Sequence, residues 1–145
     1  MFLGEFEHAL DDRGRLAIPA RYRAELEHGL YVTRGLDRCL VIWDATAWST
    51  MAERVRQLNP WQADARRMQR HFFAGAVQAV PDKLGRVVIP HYLRTYAGLE
   101  TDVIVVGLAD RIEVWARAEW ERERAEAETG SADLAEHLAR GASAP

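Results

Sequence analysis

Two aspartates each stand four residues ahead of an arginine, with a glycine just before the arginine: Asp11 with Gly14 and Arg15, and Asp82 with Gly85 and Arg86. A carboxylate at the start of a tight turn accepts hydrogen bonds from backbone N–H groups further along it and fixes the loop. It can also pair with the guanidinium across the turn and hold it in place. An arginine held in this way loses less side-chain entropy on binding, and its planar fork suits phosphate or guanine. A purely structural turn salt bridge has the same spacing and contributes little when exposed. Spacing alone leaves both readings open.

The duplication weighs against the structural reading. Asp11-Asp12-Arg13-Gly14-Arg15-Leu16-Ala17-Ile18-Pro19 returns as Asp82-Lys83-Leu84-Gly85-Arg86-Val87-Val88-Ile89-Pro90, offset by 71 residues throughout. Phe2 and Gly4 align with Phe73 and Gly75, and Arg23 with Arg94, at the same offset. Beyond Arg94 the offset becomes 72, which aligns Gly35-Leu36 with Gly107-Leu108, Trp43 with Trp115 and Trp48 with Trp120. The chain therefore divides into a first repeat (1–48), a connector (49–72), a second repeat (73–120) and a tail (121–145). Each repeat is small for an independent core, so the two are expected to share one. Repeated exposed arginines imply two equivalent contacts with one repeated partner.

The elements that must position these residues can be read from pattern. Residues 2–9 read as a strand, 12–14 as a tight turn and 15–18 as a second strand, a hairpin in which Gly14 is free to take positive φ. Pro19 opens a short helix to about residue 28, and Gly29 stands where a helix C′ glycine belongs. Residues 30–34 and 39–43 form another strand pair. Asp44 caps a helix over 45–58 whose Trp48, Met51, Val55 and Leu58 make one apolar stripe. A connector helix over 61–71 carries Arg66, Arg67 and Arg70, which either touch nucleic acid or form a solvated or subunit-bridging face. The second repeat runs through the same order and ends in a helix from about residue 117. The Gly-, Ala- and Ser-rich stretch 129–145 reads as a frayed, flexible tail. Hairpins with short helices between them indicate an antiparallel α+β fold.

The paired turns, each followed by Ile-Pro and a short helix, resemble the SpoVT–AbrB domain. Two copies joined by a helical connector, with Trp43-Asp44 and Trp115 closing the halves, resemble the MraZ family over residues 1–120. The resemblance implies a double-split β-barrel built of two swapped-hairpin halves, a pseudo-dimer within one chain. It implies a sequence-specific DNA-binding transcriptional regulator, a repressor of the division and cell-wall gene cluster that includes its own promoter. The partners it implies are double-stranded DNA carrying tandem repeats upstream of its own gene, and further copies of itself in a ring-shaped homo-oligomer. It places the protein in the cytoplasm, associated with the nucleoid. Arg15 and Arg86 would be the central DNA contacts, with Arg13, Arg21, Arg23, Lys83 and Arg94 binding phosphates beside them, and Asp11, Gly14, Asp82 and Gly85 supporting the turns. The alternative is an oligomeric protein-interaction or antitoxin-like scaffold with no primary DNA role.

The charge pattern permits DNA binding although the net charge is −3. The repeats carry −2 and −1, the connector +3 and the residues after 120 carry −3. Residues 13–23 hold four arginines and no acid, and local potential decides phosphate binding. Other functions find no residues to carry them. The sequence holds no Gly-x-Ser-x-Gly, P-loop or Gly-x-Gly-x-x-Gly, and Asp11 and Asp12 point apart in a strand-turn, so no catalytic site is expected. His8, His28, His71, His91 and His137 lack metal-ligand spacing, and no cofactor is expected. The lone Cys39 excludes a disulfide framework and reads as a buried thiol. No apolar run approaches the ~20 residues of a membrane span, and the N-terminal residues lack the basic region of a secretory signal. Trp43, Trp48 and Trp115 read as packing residues.

Overall fold

The computed structural model describes residues 1–143 and is an α+β molecule. Its first half holds β1 (Phe2–Ala9), β2 (Arg15–Ala17), a 3-10 turn (Ala20–Tyr22) running into α1 (Arg23–Leu26), β3 (Leu30–Arg34) and β4 (Leu40–Trp43). Between β4 and the strands of the second half lie α2 (Ala45–Arg56), α3 (Ala63–Gln69) and a π-helical turn (Arg70–Ala74), which together span the connector and overlap its two edges. The second half holds β5 (Val77–Ala79), β6 (Arg86–Val88), α4 (His91–Ala97), β7 (Asp102–Ala109), β8 (Ile112–Ala116) and α5 (Arg117–Ser143).

The halves are woven together. Six strands form one antiparallel sheet in the order β1-β7-β8-β4-β3-β5, and β2 pairs with β6 as a separate two-stranded ribbon. The first strand of each half thus pairs with a later strand of the other half: β1 with β7 and β5 with β3. The hairpin expected between β1 and β2 survives only at its turn, where Leu10 bridges Leu16. Beyond the turn β2 leaves β1 and pairs with β6 instead, the swapped arrangement that the double-split barrel requires.

One core serves both halves. Leu16, Ile18, Leu26, Leu30, Leu40 and Ile42 from the first pack with Val87, Ile89, Leu93, Val105, Ile112 and Val114 from the second, each 3% exposed or less. Pro19 and Pro90 lie just before their helices rather than inside them, with φ of −50° and −56° and extended ψ. On the outer face of the sheet sit two smaller clusters. Under α2, Trp48 stacks between Tyr31 (4.6 Å) and Phe72 (4.9 Å), and Asp44 caps the helix by accepting from the Ala47 N–H at 2.8 Å. Under α5, Trp120 and Trp115 pack with Cys39, Ile104 and Val106. The α2 stripe reaches the cluster through Trp48, Met51 and Val55, while Leu58 is 37% exposed.

Three local expectations change. The strand register sets Tyr31 opposite Trp43 but Ile104 opposite Trp115, so Tyr31 corresponds to Ile104. Gly35-Leu36 and Gly107-Leu108 therefore match as letters but not in position: Gly35 opens the β3–β4 loop, whereas Gly107 lies within β7. A Cβ on Gly107 would stand 2.5 Å from the Leu3 nitrogen and the Tyr22 hydroxyl, so close approach of β1 demands that glycine. The connector helix stops at Gln69 and continues as a π turn, leaving β5 with three residues against the eight of β1. Finally, α5 does not stop near 128 but stays helical through Ser143; residues 144–145 of the expected flexible tail lie outside the described residues. Ala, Glu, Leu and Arg in this stretch are strong helix formers and outweigh two Gly and two Ser.

Candidate nucleic-acid interface

Each Asp–Arg segment folds as a three-residue loop with a glycine in the left-handed region, the type I turn plus bulge that joins strands tightly. Gly14 has φ 72° and Gly85 φ 75°. Asp11 N–H donates to the Arg15 carbonyl at 3.1 Å and Gly14 N–H to the Asp11 carbonyl at 3.0 Å; the matching bonds in the second copy are 2.9 Å and 2.9 Å. The aspartate side chain completes the loop. Asp11 Oδ1 accepts from the backbone N–H of Arg13 (2.9 Å) and of Arg15 (2.8 Å), and Oδ2 accepts from Arg15 Nε at 2.6 Å. Asp82 does the same with Leu84 N–H (2.9 Å), Arg86 N–H (2.9 Å) and Arg86 Nε (2.9 Å). Both carboxyls are held below the usual carboxylate range, chiefly by the backbone N–H of the arginine; burial opposes this, and the arginine side chain and a second loop N–H add to the lowering.

The bond geometry decides what these arginines can still do. Asp11 and Asp82 engage Nε, so both terminal nitrogens of Arg15 and Arg86 are left without a hydrogen bond among the described residues. Those two N–H groups are the edge that grips a phosphate or the O6/N7 edge of guanine. The ribbon sets their placement. In β2–β6, Arg15 lies opposite Val88 and Ala17 opposite Arg86, while Leu16 and Val87 between them turn into the core. The outward face is therefore Arg15, Ala17, Arg86 and Val88, with the arginines at diagonal corners. Two residues along and one strand across is about 8 Å between Cα atoms. A two-stranded ribbon is a size the major groove admits.

Each turn is also tied to the opposite half. Ile18 N–H donates to the Gly85 carbonyl and Ile89 N–H to the Gly14 carbonyl, both at 2.8 Å. Arg23 Nε donates to the Ile18 carbonyl (2.9 Å) and Arg94 Nε to the Ile89 carbonyl (3.0 Å). These two arginines lie across the other half's glycine: a Cβ on Gly85 would come 2.5 Å from Arg23 Nε, and one on Gly14 would come 2.9 Å from Arg94 Cζ. The glycines thus serve two purposes, positive φ and close approach of a guanidinium. The second purpose was not read from sequence, although the copying of Arg23 as Arg94, five residues after Ile18 and Ile89, is its signal.

Of the seven basic residues singled out, the structure brings Arg15, Arg86, Arg23 and Arg94 together at the ribbon and its glycines. Arg13 and Lys83 occupy exposed turn positions, with no side-chain partner among the described residues. Arg21 is drawn aside to Phe6, its guanidinium 5.9 Å from the ring centroid. Arg66, Arg67 and Arg70 are exposed on the connector, and Arg66 donates to the Pro60 carbonyl. Cys39 is fully buried, and burial beside Glu113 pushes its thiol up to about 12, which leaves it unreactive. Among the described residues no helix is long and apolar enough to cross a membrane.

Comparison with known proteins finds relatives along most of the chain. A family model described as "MraZ protein, putative antitoxin-like" matches twice, over residues 1–71 and 72–142. The chain is 42% identical over 138 residues to the transcriptional regulator MraZ of Desulforamulus reducens, covering 95% of this chain and 97% of that protein. It is 46% identical over 121 residues to that of Moorella thermoacetica, covering 83% and 85%. Against the protein of the same name from Pediococcus pentosaceus it is 43% identical over 138 residues, covering 95% and 96%.

Proposed function

The chain belongs to the MraZ family, and on that premise we propose that it is a sequence-specific DNA-binding regulator of transcription that docks the β2–β6 ribbon into the major groove. The observation that carries this reading is the doubled turn, in which an aspartate fixes each arginine by Nε and leaves its two terminal nitrogens for a ligand. Arg15 and Arg86 read base edges or phosphates; Arg13 and Lys83, exposed on the loops, add phosphate contacts. Arg23 and Arg94 hold the loops from behind and lend positive potential.

The target is the DNA upstream of its own gene in the division and cell-wall cluster, and occupancy there represses transcription. Several subunits assembled in a ring would engage tandem repeats spaced near one helical turn, ~10 bp, so that successive sites face the same side. Individually weak contacts then add through effective concentration. This explains how a chain of net charge −3 binds a polyanion: assembly repeats a locally basic face.

The test is a gel-shift titration on the upstream region over a salt series. Binding should weaken steeply with salt, with a log–log slope of about −0.9 per phosphate contacted. Arg15→Ala and Arg86→Ala, made separately, should each weaken binding by about tenfold or more, with unchanged circular dichroism. Intact folding with no loss in either variant would make the turns structural. Absence of specific binding anywhere in the region would favour the scaffold reading. That reading has one observation on its side, Trp61 of the connector, 91% exposed.

A further inference from the structure

The two turns are copies in their backbone and hydrogen bonds, but they do not offer the same side chains. Arg13 of the first loop is Leu84 in the second, and Asp12 is Lys83. On the ribbon, Ala17 of the first copy is Val88 in the second. Leu84 is 62% exposed and Val88 56% exposed. Single exposed aliphatic residues are ordinary on a protein surface, so exposure alone says nothing. Their position does: one lies two residues before Arg86 and the other two residues after it. Val88 also lies directly opposite Arg15 on the outward face.

The register distributes them unequally. At one corner of the ribbon Arg15 stands with Val88 and with Arg13 on the adjoining loop. At the other corner Arg86 stands with Ala17 and with Leu84 on its loop. The first loop, with Asp11, Asp12, Arg13 and Arg15, sums to zero charge; the second, with Asp82, Lys83 and Arg86, sums to +1 and puts an isobutyl group where the first has a guanidinium. An aliphatic side chain pressed against DNA needs an apolar partner. Base edges in the major groove offer one, the thymine C5-methyl.

We propose that Leu84 and Val88 read thymine methyl groups beside the bases gripped by Arg86 and Arg15, so that a single subunit binds DNA in a fixed direction in spite of its internal two-fold repeat. The inference rests on the DNA-binding reading above. A chain with two equal corners would favour a palindrome; unequal corners select an oriented site, which suits tandem repeats all pointing one way.

The test uses the same upstream region, prepared once with thymidine and once with deoxyuridine in its place. Deoxyuridine pairs identically but lacks the methyl. The wild-type protein should bind the thymidine duplex more tightly, by about fourfold per methyl covered. The Leu84→Ala/Val88→Ala variant should bind both duplexes alike. Arg13→Ala should weaken binding to both by the same factor and keep the preference. Equal binding of the two duplexes by the wild-type protein overturns the inference and leaves the DNA-binding reading standing. A preference that persists in the double variant overturns it too, by assigning the effect to the altered duplex. No binding to either duplex overturns both.

Discussion

At the residue scale, the aspartates govern what the arginines can do. Asp11 and Asp82 hold protons less tightly in the fold than in the unfolded chain, because the N–H groups of Arg15 and Arg86 donate to the charged form. Their contribution is therefore fully present above the ordinary carboxylate pKa of about 4 and is lost as pH falls through the lowered value. DNA affinity between pH 5 and 8 should show no step from these groups, and a titration followed by fluorescence anisotropy checks this. Asp11→Ala frees Arg15 and should weaken DNA binding about two- to tenfold through lost preorganisation. Asp11→Asn, which can still accept the loop N–H bonds, should lose less. Arg15→Lys should fare nearly as badly as Arg15→Ala, because one ammonium cannot hold Asp11 and present a two-pronged edge together. Gly85→Ala should destabilise the fold by about 1–3 kcal/mol in chemical denaturation, from φ 75° and the crowding of Arg23. The Asp, Gly and Arg of each turn were legible in sequence because their roles are local. The struts Arg23 and Arg94 were legible as residues but not in their task, since their glycine partners lie in the opposite half.

At the scale of elements, local pattern located the first-half strands and the capped start of α2. It did not determine pairing. A turn flanked by two short apolar runs is the signal for a hairpin, and the turn is there, but β2 pairs along its length with β6. Pairing between segments 71 residues apart is decided by which arrangement buries Leu16, Ile18, Val87 and Ile89 together, and periodicity within one segment carries no trace of that choice. The shortening of β5 has a similar origin, because the connector's π turn occupies residues that are strand in the first copy. Ile18→Ala and Ile89→Ala, each removing a fully buried side chain beneath the ribbon, should each cost about 2–5 kcal/mol in urea unfolding. Both should lower DNA affinity by loosening the ribbon while leaving Arg15 and Arg86 in place.

At the scale of the whole molecule, the shared core makes the repeats one cooperative unit. The full chain should unfold in a single transition by circular dichroism, and neither residues 1–71 nor residues 72–143 should fold when expressed alone. The far part of α5 contributes little to that unit. Its first turns are tied to β1 by Arg117 with Glu7 (2.6 Å), Trp120 with Glu5 (2.7 Å) and Arg124 with Glu5 (2.9 Å), whereas residues 131–141 are exposed. Truncation after Gly130 should therefore leave the midpoint of thermal unfolding within about 2 °C of the full chain, exposed positions being nearly neutral. The crossed bonds from Ile18 to Gly85 and from Ile89 to Gly14 bear on inheritance as well as on rigidity. Two identical chains meeting at such a ribbon can change only in unison, since every mutation enters both ends. Joined in one polypeptide, the ends are free to diverge, and Arg13 and Leu84 have done so. The crossed bonds limit that freedom to the tips: a lineage of such proteins can alter what each end touches far more readily than the distance between the ends.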